Sequence, residues 1–221
     1  MGTLQPKLLY FMTVLFDLDG VLLDTEPQYS RFWTEIGREL FPQVPDFAAQ
    51  VKGNTLRHIF DSWFAGDEVA QADMKRRLRE HETRMTYPFL PGAVEIMRML
   101  KEHGHKTAIV TSSSKPKMAF VLREHPDLPE QVARIFTAED SPRSKPAPDC
   151  FLTASRWFGT DPGQCIVVED SENGLKAARS AGMRVLGLLT TTPLATVERY
   201  SDCVANNLSE VDMDTFEELL H

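Results

Sequence analysis

The sequence predicts an α/β fold in which a parallel sheet carries helices on both faces and a small all-helical segment is inserted after the first strand. Three observations predict it. Short apolar or β-branched runs (Val14-Leu15-Phe16, residues 106–110, residues 165–168) alternate with stretches of helical spacing, the rhythm of parallel strands joined by crossover helices. These runs stop at acids or hydroxyls: Asp17 and Asp19, Thr111, and Glu169 with Asp170. In open α/β sheets that C-terminal strand edge is where ligands bind. Residues 46–87, by contrast, carry helical signals alone. The expected division is a Rossmann-like core, residues 1–26 and 89–221, with a helical insert over residues 27–88.

Taken in order, residues 1–11 read as a short leader, and Met12 is a second candidate start. The run Val14-Leu15-Phe16 is the first strand, and Gly20 follows its acids as a tight-turn residue. Tyr29, Phe32, Trp33, Ile36 and Leu40 recur at helical spacing behind Pro27, which a first helical turn tolerates. Pro42 and Pro45 end that helix. Leu56, Ile59, Phe60 and Trp63 share one face of a second, and a charged helix spans residues 68–85. Trp33, Trp63 and Phe60 belong on this pattern to the insert's own core. Gly92 opens the next helix, with Ala93, Ile96, Met97 and Leu100 inward, and Gly104 stops it. Strands follow at 106–110, 134–137, 165–168, 184–189 and 202–205, with helices through Leu122, over 149–158, over 174–181 and over 213–220.

Bulk properties narrow the function classes. The 221 residues carry a formal charge of −8, with 42% hydrophobic and 25% charged residues, an ordinary globular composition. An acidic surface attracts neither nucleic acid nor an anionic membrane. Cys150, Cys165 and Cys203 form neither an even set nor a C-x-x-C pair, so disulfide and zinc frameworks are not indicated and a reducing cytoplasm is expected. Nothing in the sequence has the length and apolarity of a spanning helix.

The chemistry concentrates at the strand ends. Asp17 and Asp19, side by side, repel and call for a cation or a proton. An Asp in such a position also makes turns and caps. Thr111-Ser112-Ser113-Ser114 before a helix offers hydroxyls and amides to a phosphate, or simply an N-cap. Lys145 stands in S-K-P-A-P-D, held by prolines on its C-terminal side, while Lys115 and Lys117 read as solvated lysines. Val167-Val168-Glu169-Asp170 repeats the first motif: a buried strand, then acids. A nucleophile, a proton donor, oxygen ligands for a hard cation and cationic donors are what phosphoryl transfer requires. His58, His81, His103, His105 and His125 have no mutual spacing that suggests a site, and surface positions are expected for them.

Asp17-Leu18-Asp19-Gly20-Val21-Leu22-Leu23-Asp24-Thr25-Glu26 resembles the opening motif of the haloacid dehalogenase-like hydrolases, in their phosphatase and β-phosphoglucomutase branch. The stretches around Thr111, Lys145 and Glu169-Asp170 match in the family's order. The resemblance implies a Mg²⁺ enzyme with the insert as a cap. It implies Asp17 as nucleophile, forming an aspartyl-phosphate, and Asp19 as the acid and base. Thr111 and Ser112 would bind the phosphate, and Lys145 would hold it and neutralise Asp17. Asp17, the main-chain carbonyl of Asp19 and Asp170 would ligate the metal, with Glu169 direct or through water. Asp24 and Thr25 would brace the turn.

Within the family, Asp19 argues against dehalogenation, and phosphonate hydrolysis would need a cap lysine for which Lys52 is the one loop candidate. Gly53, Asn54, Thr55 and Arg57 are the candidate substrate-binding residues of the cap loop. The mutase form carries an arginine where this chain has Leu56 and a histidine where it has Tyr29. The expected function is therefore hydrolysis of a small phosphorylated metabolite, a sugar phosphate or similar, by a monomer. β-Phosphoglucomutase is the alternative, and a non-catalytic binding protein on the same fold the second.

Overall fold

The computed structural model describes residues 11–52 and 54–221. The expected leader at residues 1–11 and the candidate loop residue Gly53 therefore fall outside the description, apart from Phe11. In chain order the elements are β1 (Thr13–Phe16), α1 (Glu26–Leu40), α2 (Phe47–Val51), α3 (Leu56–Trp63), α4 (Glu68–Glu82) and α5 (Ala93–Glu102). Then come β2 (Lys106–Val110), α6 (Lys115–Glu124), α7 (Leu128–Gln131), β3 (Arg134–Phe136), α8 (Asp149–Phe158) and β4 (Cys165–Glu169). The chain closes with α9 (Glu172–Ser180), β5 (Arg184–Leu188), α10 (Leu194–Tyr200), β6 (Cys203–Ala205) and α11 (Met213–Leu219).

Among the described residues the six strands form one parallel sheet in the order β3-β2-β1-β4-β5-β6. β1 is flanked on one side by β2 and on the other by β4, with Phe16 beside both Ile109 and Val168. The strand order reverses between β1 and β4, and at such a point neighbouring loops diverge and leave a crevice. Every residue of β1 and of β4 is buried, which is why both read as continuous apolar runs rather than alternating ones.

Alternate residues of the central strands enter two separate cores. Val14, Phe16, Ile109, Ile166 and Val168 pack with Ile96, Met97 and Leu100 of α5, Val121 of α6 and Phe216 of α11. Leu15, Ala108, Val110 and Val167 pack on the other face with Phe151 and Ala154 of α8 and Leu175 and Ala178 of α9. A fully buried aliphatic or aromatic side chain contributes about 1.5–3 kcal/mol relative to leaving it in water, so the two clusters pin β1 from both sides.

A third cluster belongs to residues 26–82 alone: Phe32, Trp33 and Ile36 of α1, Phe47, Ile59, Phe60, Phe64 and Met74. Aromatic rings fill it, with Phe41 stacked on Phe47 at 4.6 Å and Trp63 edge-on to Phe47 at 4.9 Å. Trp33 and Phe60 are core residues here, as their helical spacing implies, with Trp63 packed against them. The segment leaves and rejoins the sheet through a narrow neck. Leu23 bridges Phe89 in antiparallel sense, Asp24 N donates to Pro88 O (2.9 Å) and Leu90 N to Leu22 O (2.8 Å).

Three short helices, α2, α7 and α10, are not singled out in the sequence reading: α2 and α7, of five and four residues, hold too few turns to display a period, and α10 buries Val197 alone, so it shows no apolar face. Surface positions for the histidines also need correction. His81, His105 and His125 are half-buried: His105 Nδ1 accepts from Met12 N at 3.3 Å, and His125 Nε2 lies 2.7 Å from Tyr87 O.

Candidate active site

β1 delivers Asp17 directly at its end, where the backbone of Asp17 still donates to Val168 O (3.0 Å). The chain then turns at Gly20, whose φ of 81° is a left-handed value suited to glycine. Space demands the same residue, since a Cβ there would lie 2.1 Å from Asp170 Oδ2. Thr190 from the end of β5 fastens this turn by donating to Gly20 O at 2.5 Å.

Lys145 reaches the sheet edge from the loop before α8 and is 5% exposed. Its ammonium donates to Asp17 Oδ1 (2.6 Å), Glu169 Oε1 (2.7 Å) and Val110 O (3.2 Å). Burying a charge this deeply is tolerable only with opposite charge and complete hydrogen bonding, and both are present. Glu169 is fully buried, and its Oε2 accepts from Asp170 N, Ser171 N (both 2.8 Å) and Ser171 Oγ (3.0 Å).

Asp170 closes the cluster. One oxygen, Oδ2, accepts from the Thr191 hydroxyl, whereas Oδ1 is buried with no hydrogen-bond partner among the described residues. Oxygens of Asp17, Glu169 and Asp170 lie within 4.8 Å of one another, and the Lys145 ammonium pairs with two of the three acids, Asp17 and Glu169. Burial pushes the Asp17 carboxyl up to about 7, against the pull of Lys145 and with Glu169 adding to the rise. Burial raises Asp170 well above the usual range too, followed by repulsion from Glu169 and Asp17. An orphaned carboxylate oxygen among uncompensated acids is the donor set a hard divalent cation would complete.

Asp19 stands apart from that cluster. Its Oδ1 accepts from Thr25 Oγ1 (2.6 Å) and Lys117 Nζ (2.7 Å), its Oδ2 from Ser113 Oγ (2.8 Å) and Lys117 Nζ (2.6 Å). Burial alone would raise its carboxyl, but the Lys117 ammonium and these hydrogen bonds hold it below the ordinary value. Thr25 braces the turn through its side chain, whereas Asp24 is exposed and joins the neck only by its backbone. Lys117 requires correction: it is no solvated lysine but 5% exposed and paired. Sequence reasoning missed it together with Ser113 and Thr191. The available signal was a cation in the first turn of a helix, where the macrodipole disfavours it.

Thr111, at the end of β2, is 3% exposed, and its Oγ1 accepts from Ser113 N at 3.0 Å. The cap of α6 is Ser114, which accepts from Lys117 N, so Thr111 is not consumed as a helix cap. Ser112 is exposed beside it. Asp17, Asp19, Thr111, Ser112, Lys145 and Asp170 all border one cleft of about 1120 Å³, roofed by the helical segment.

From that roof, Asn54, Thr55 and Arg57 also border the cleft. Two of them are partly spent locally: Asn54 Nδ2 donates to Gln50 O (3.0 Å), and Thr55 Oγ1 caps α3 by accepting from His58 N (3.2 Å). Among the described residues Arg57 approaches Asp61 at 3.9 Å, with its side chain 88% exposed. Lys75 and Arg79 of α4, which the sequence reading did not single out, line the same roof.

Comparison with known proteins places this geometry. A family model described as haloacid dehalogenase-like hydrolase matches residues 11–182. The chain is 32% identical over 177 residues to the fructose-1-phosphate phosphatase YqaB of Escherichia coli, covering 77% of this chain and 92% of the relative. It is 28% identical over 222 residues to the β-phosphoglucomutase of Bacillus subtilis, covering 94% and 93%. In fold it is similar to a crystal structure of an HAD hydrolase, family IA, variant 3, from Entamoeba histolytica, with a TM-score of 0.83, 23% identity, and 95% and 99% of the two chains covered. The chain accordingly belongs to the haloacid dehalogenase-like hydrolases, as an enzyme of their phosphatase and β-phosphoglucomutase-like branch.

Proposed function

We propose that the chain is a Mg²⁺-dependent phosphomonoester hydrolase that acts on a small phosphorylated metabolite, a sugar phosphate or similar, through an aspartyl-phosphate on Asp17. The observation that carries this reading is the buried triad of Asp17, Lys145 and Asp170 at the mouth of the cleft, with one Asp170 oxygen unpartnered. Asp17 and Asp170 would hold the metal through their carboxylates and Asp19 through its main-chain carbonyl, with Glu169 acting at one remove by fixing Lys145. When bound, the cation would offset the phosphate's charge and polarise the P–O bonds.

The chain's own groups do the rest. A carboxylate oxygen of Asp17 bonds to phosphorus as the ester P–O bond breaks; Asp19, held ionised by Lys117 and its hydrogen bonds, first takes up the proton of the substrate's phosphate monoanion and passes it to the departing alkoxide. Asp19 then takes a proton from water, whose oxygen attacks phosphorus and breaks the acyl phosphate, releasing inorganic phosphate and restoring Asp17. Thr111 and the amides near Ser112 donate to phosphoryl oxygens, and Lys145 holds the phosphate beside Asp17. Residues 27–88 act as the cap, with Gly53, Asn54, Thr55 and Arg57 meeting the rest of the substrate. The enzyme works in this reading as a cytoplasmic monomer without nucleic-acid or membrane partners. Among the described residues no helix is long and apolar enough to cross a membrane.

Hydrolysis is favoured over phosphoryl migration because Tyr29, at the place of the mutase histidine, has its hydroxyl tied to Glu82 Oε1 at 3.0 Å. The deciding assay is phosphate release from a panel that includes fructose 1-phosphate and β-glucose 1-phosphate, with glucose 6-phosphate monitored. Release should fall by more than about 100-fold under excess chelator and return with Mg²⁺. Glucose 6-phosphate appearing without free phosphate would replace hydrolysis by the mutase reaction.

Protons and the cation compete for the same oxygens, which gives a second expectation. With a folded value near 7 against an unfolded value near 4, Asp17 keeps a proton that the unfolded chain has lost, so without metal it withdraws stability as pH rises through that window. Mg²⁺ displaces the proton, and its benefit grows with pH. At a concentration of about 100 Kd it should raise Tm by roughly 5–10 °C at pH 8 and by less than about 2 °C at pH 5. A pH-independent shift in differential scanning fluorimetry would count against metal at these carboxylates.

A further inference from the structure

We propose that Lys117 is the positioning residue for Asp19, a strut set between the proton-transferring carboxylate and the Tyr29–Glu82 pair at the base of the helical insert. The inference rests on the hydrolase reading above and deepens it.

The geometry is specific. Lys117 Nζ touches both oxygens of Asp19, at 2.6 and 2.7 Å, and lies 4.7 Å from the centroid of the Tyr29 ring. Tyr29 sits in the first turn of α1, and its hydroxyl donates to Glu82 Oε1, the last residue of α4, at 3.0 Å. Those are the two ends of the helical segment. One ammonium therefore links a group from β1's turn to both ends of the insert.

An independent feature of the sequence agrees. Lys117 is the third residue of α6, inside the turn where unpaired amides make a cation unfavourable, and it is 5% exposed. A lysine that loses both its hydration and the helix field is held there by what it contacts. Its contacts are the Asp19 carboxylate and the Tyr29 face, not the carboxylates of the Asp17–Glu169–Asp170 cluster, where Lys145 pairs with Asp17 and Glu169. Thr25 and Ser113 each reach one Asp19 oxygen, whereas Lys117 alone reaches both. Removing it leaves the carboxylate to one neutral hydroxyl hydrogen bond per oxygen, a weaker restraint on its side-chain torsions.

Positioning a proton donor has a signature that a structural ion pair lacks. Protonation of the leaving oxygen matters greatly for an alkyl ester and little for a nitrophenyl ester, whose phenolate leaves readily. The test measures kcat/KM, which reports formation of the aspartyl-phosphate, for fructose 1-phosphate and p-nitrophenyl phosphate in wild type, Lys117→Met, Lys117→Gln and Lys117→Arg. Lys117→Met should lose about 100-fold on fructose 1-phosphate and less than about tenfold on the nitrophenyl ester. Lys117→Arg should restore most of that ratio, because it returns a charge able to span both oxygens. Lys117→Gln carries the same comparison if the methionine variant does not fold. Equal losses on the two esters, or none on either, overturn the proposal while leaving the hydrolase reading intact. A wild-type protein that releases phosphate from neither ester overturns both.

Discussion

In Asp17→Asn, phosphate release falls by at least about 10⁴-fold while the fold survives. The size of the effect follows from the role: without a carboxylate to attack phosphorus no aspartyl-phosphate forms, and loss of a nucleophile removes most of an enzyme's advantage. Survival of the fold follows from the surroundings. The wild-type carboxyl is buried and pushed up to about 7, so an isosteric amide removes a charge that the metal-free site accommodates poorly. Its oxygen can still accept from Lys145. Tm of the metal-free variant should therefore match or exceed that of the wild type at pH 8. Retained phosphate release would show that some other group attacks phosphorus.

Lys145→Met makes the complementary case, with both activity and stability lost. Its ammonium is the shared partner of Asp17 and Glu169, and it donates to Val110 O as well. Removing one member of a buried ion network costs about 3–5 kcal/mol, because the remaining charges stay buried without compensation. At about 2–4 °C per kcal/mol for a chain of this size, Tm should drop by roughly 6–20 °C in the absence of metal. Mg²⁺ should recover part of that drop, since it supplies positive charge to the same acids. Activity should fall by more than about 10³-fold even when Mg²⁺ has restored the fold, because the phosphate has lost its cationic partner. A variant as stable as wild type without metal would mean that Asp17 and Glu169 had found another counter-charge.

What could be read in the sequence divides along a physical line. The strand ends were legible because a fully buried parallel strand writes itself as an uninterrupted apolar run, and the acids that interrupt it stand out. α8 was legible down to its ends, Asp149 and Phe158, since its start follows a proline turn and its stop is Gly159 in the left-handed region. Contacts between distant parts of the chain were not. Lys117 meets Asp19 across 98 positions, and Thr191 meets Asp170 across 21, and no local pattern encodes either pairing. Glu169 shows the same limit from the other side. As an acid beside Asp170 it reads as a metal ligand, direct or through water, and only the fold reveals that it also accepts from Lys145 and two backbone amides while lying in the same acidic cluster. The roof of the cleft was the least legible, because helical spacing says which face is apolar without saying what the opposite face overlooks.

The neck at Leu23 and Phe89 has a consequence for how such an enzyme can diversify. Paired backbones at that bridge stand only about 5 Å apart, the spacing of adjacent strands, so the sheet needs nothing from the intervening residues to bring its two halves together. Lengthening between Tyr29 and Glu82, which keeps Thr25, Tyr29 and Glu82 themselves in place, leaves the contacts of Asp19 and Lys117 intact, and the entropic cost of a longer excursion grows only logarithmically. Under the roles proposed above, chemistry and substrate choice become heritable as largely separate traits, one tied to the sheet edge and the other to the looped-out module.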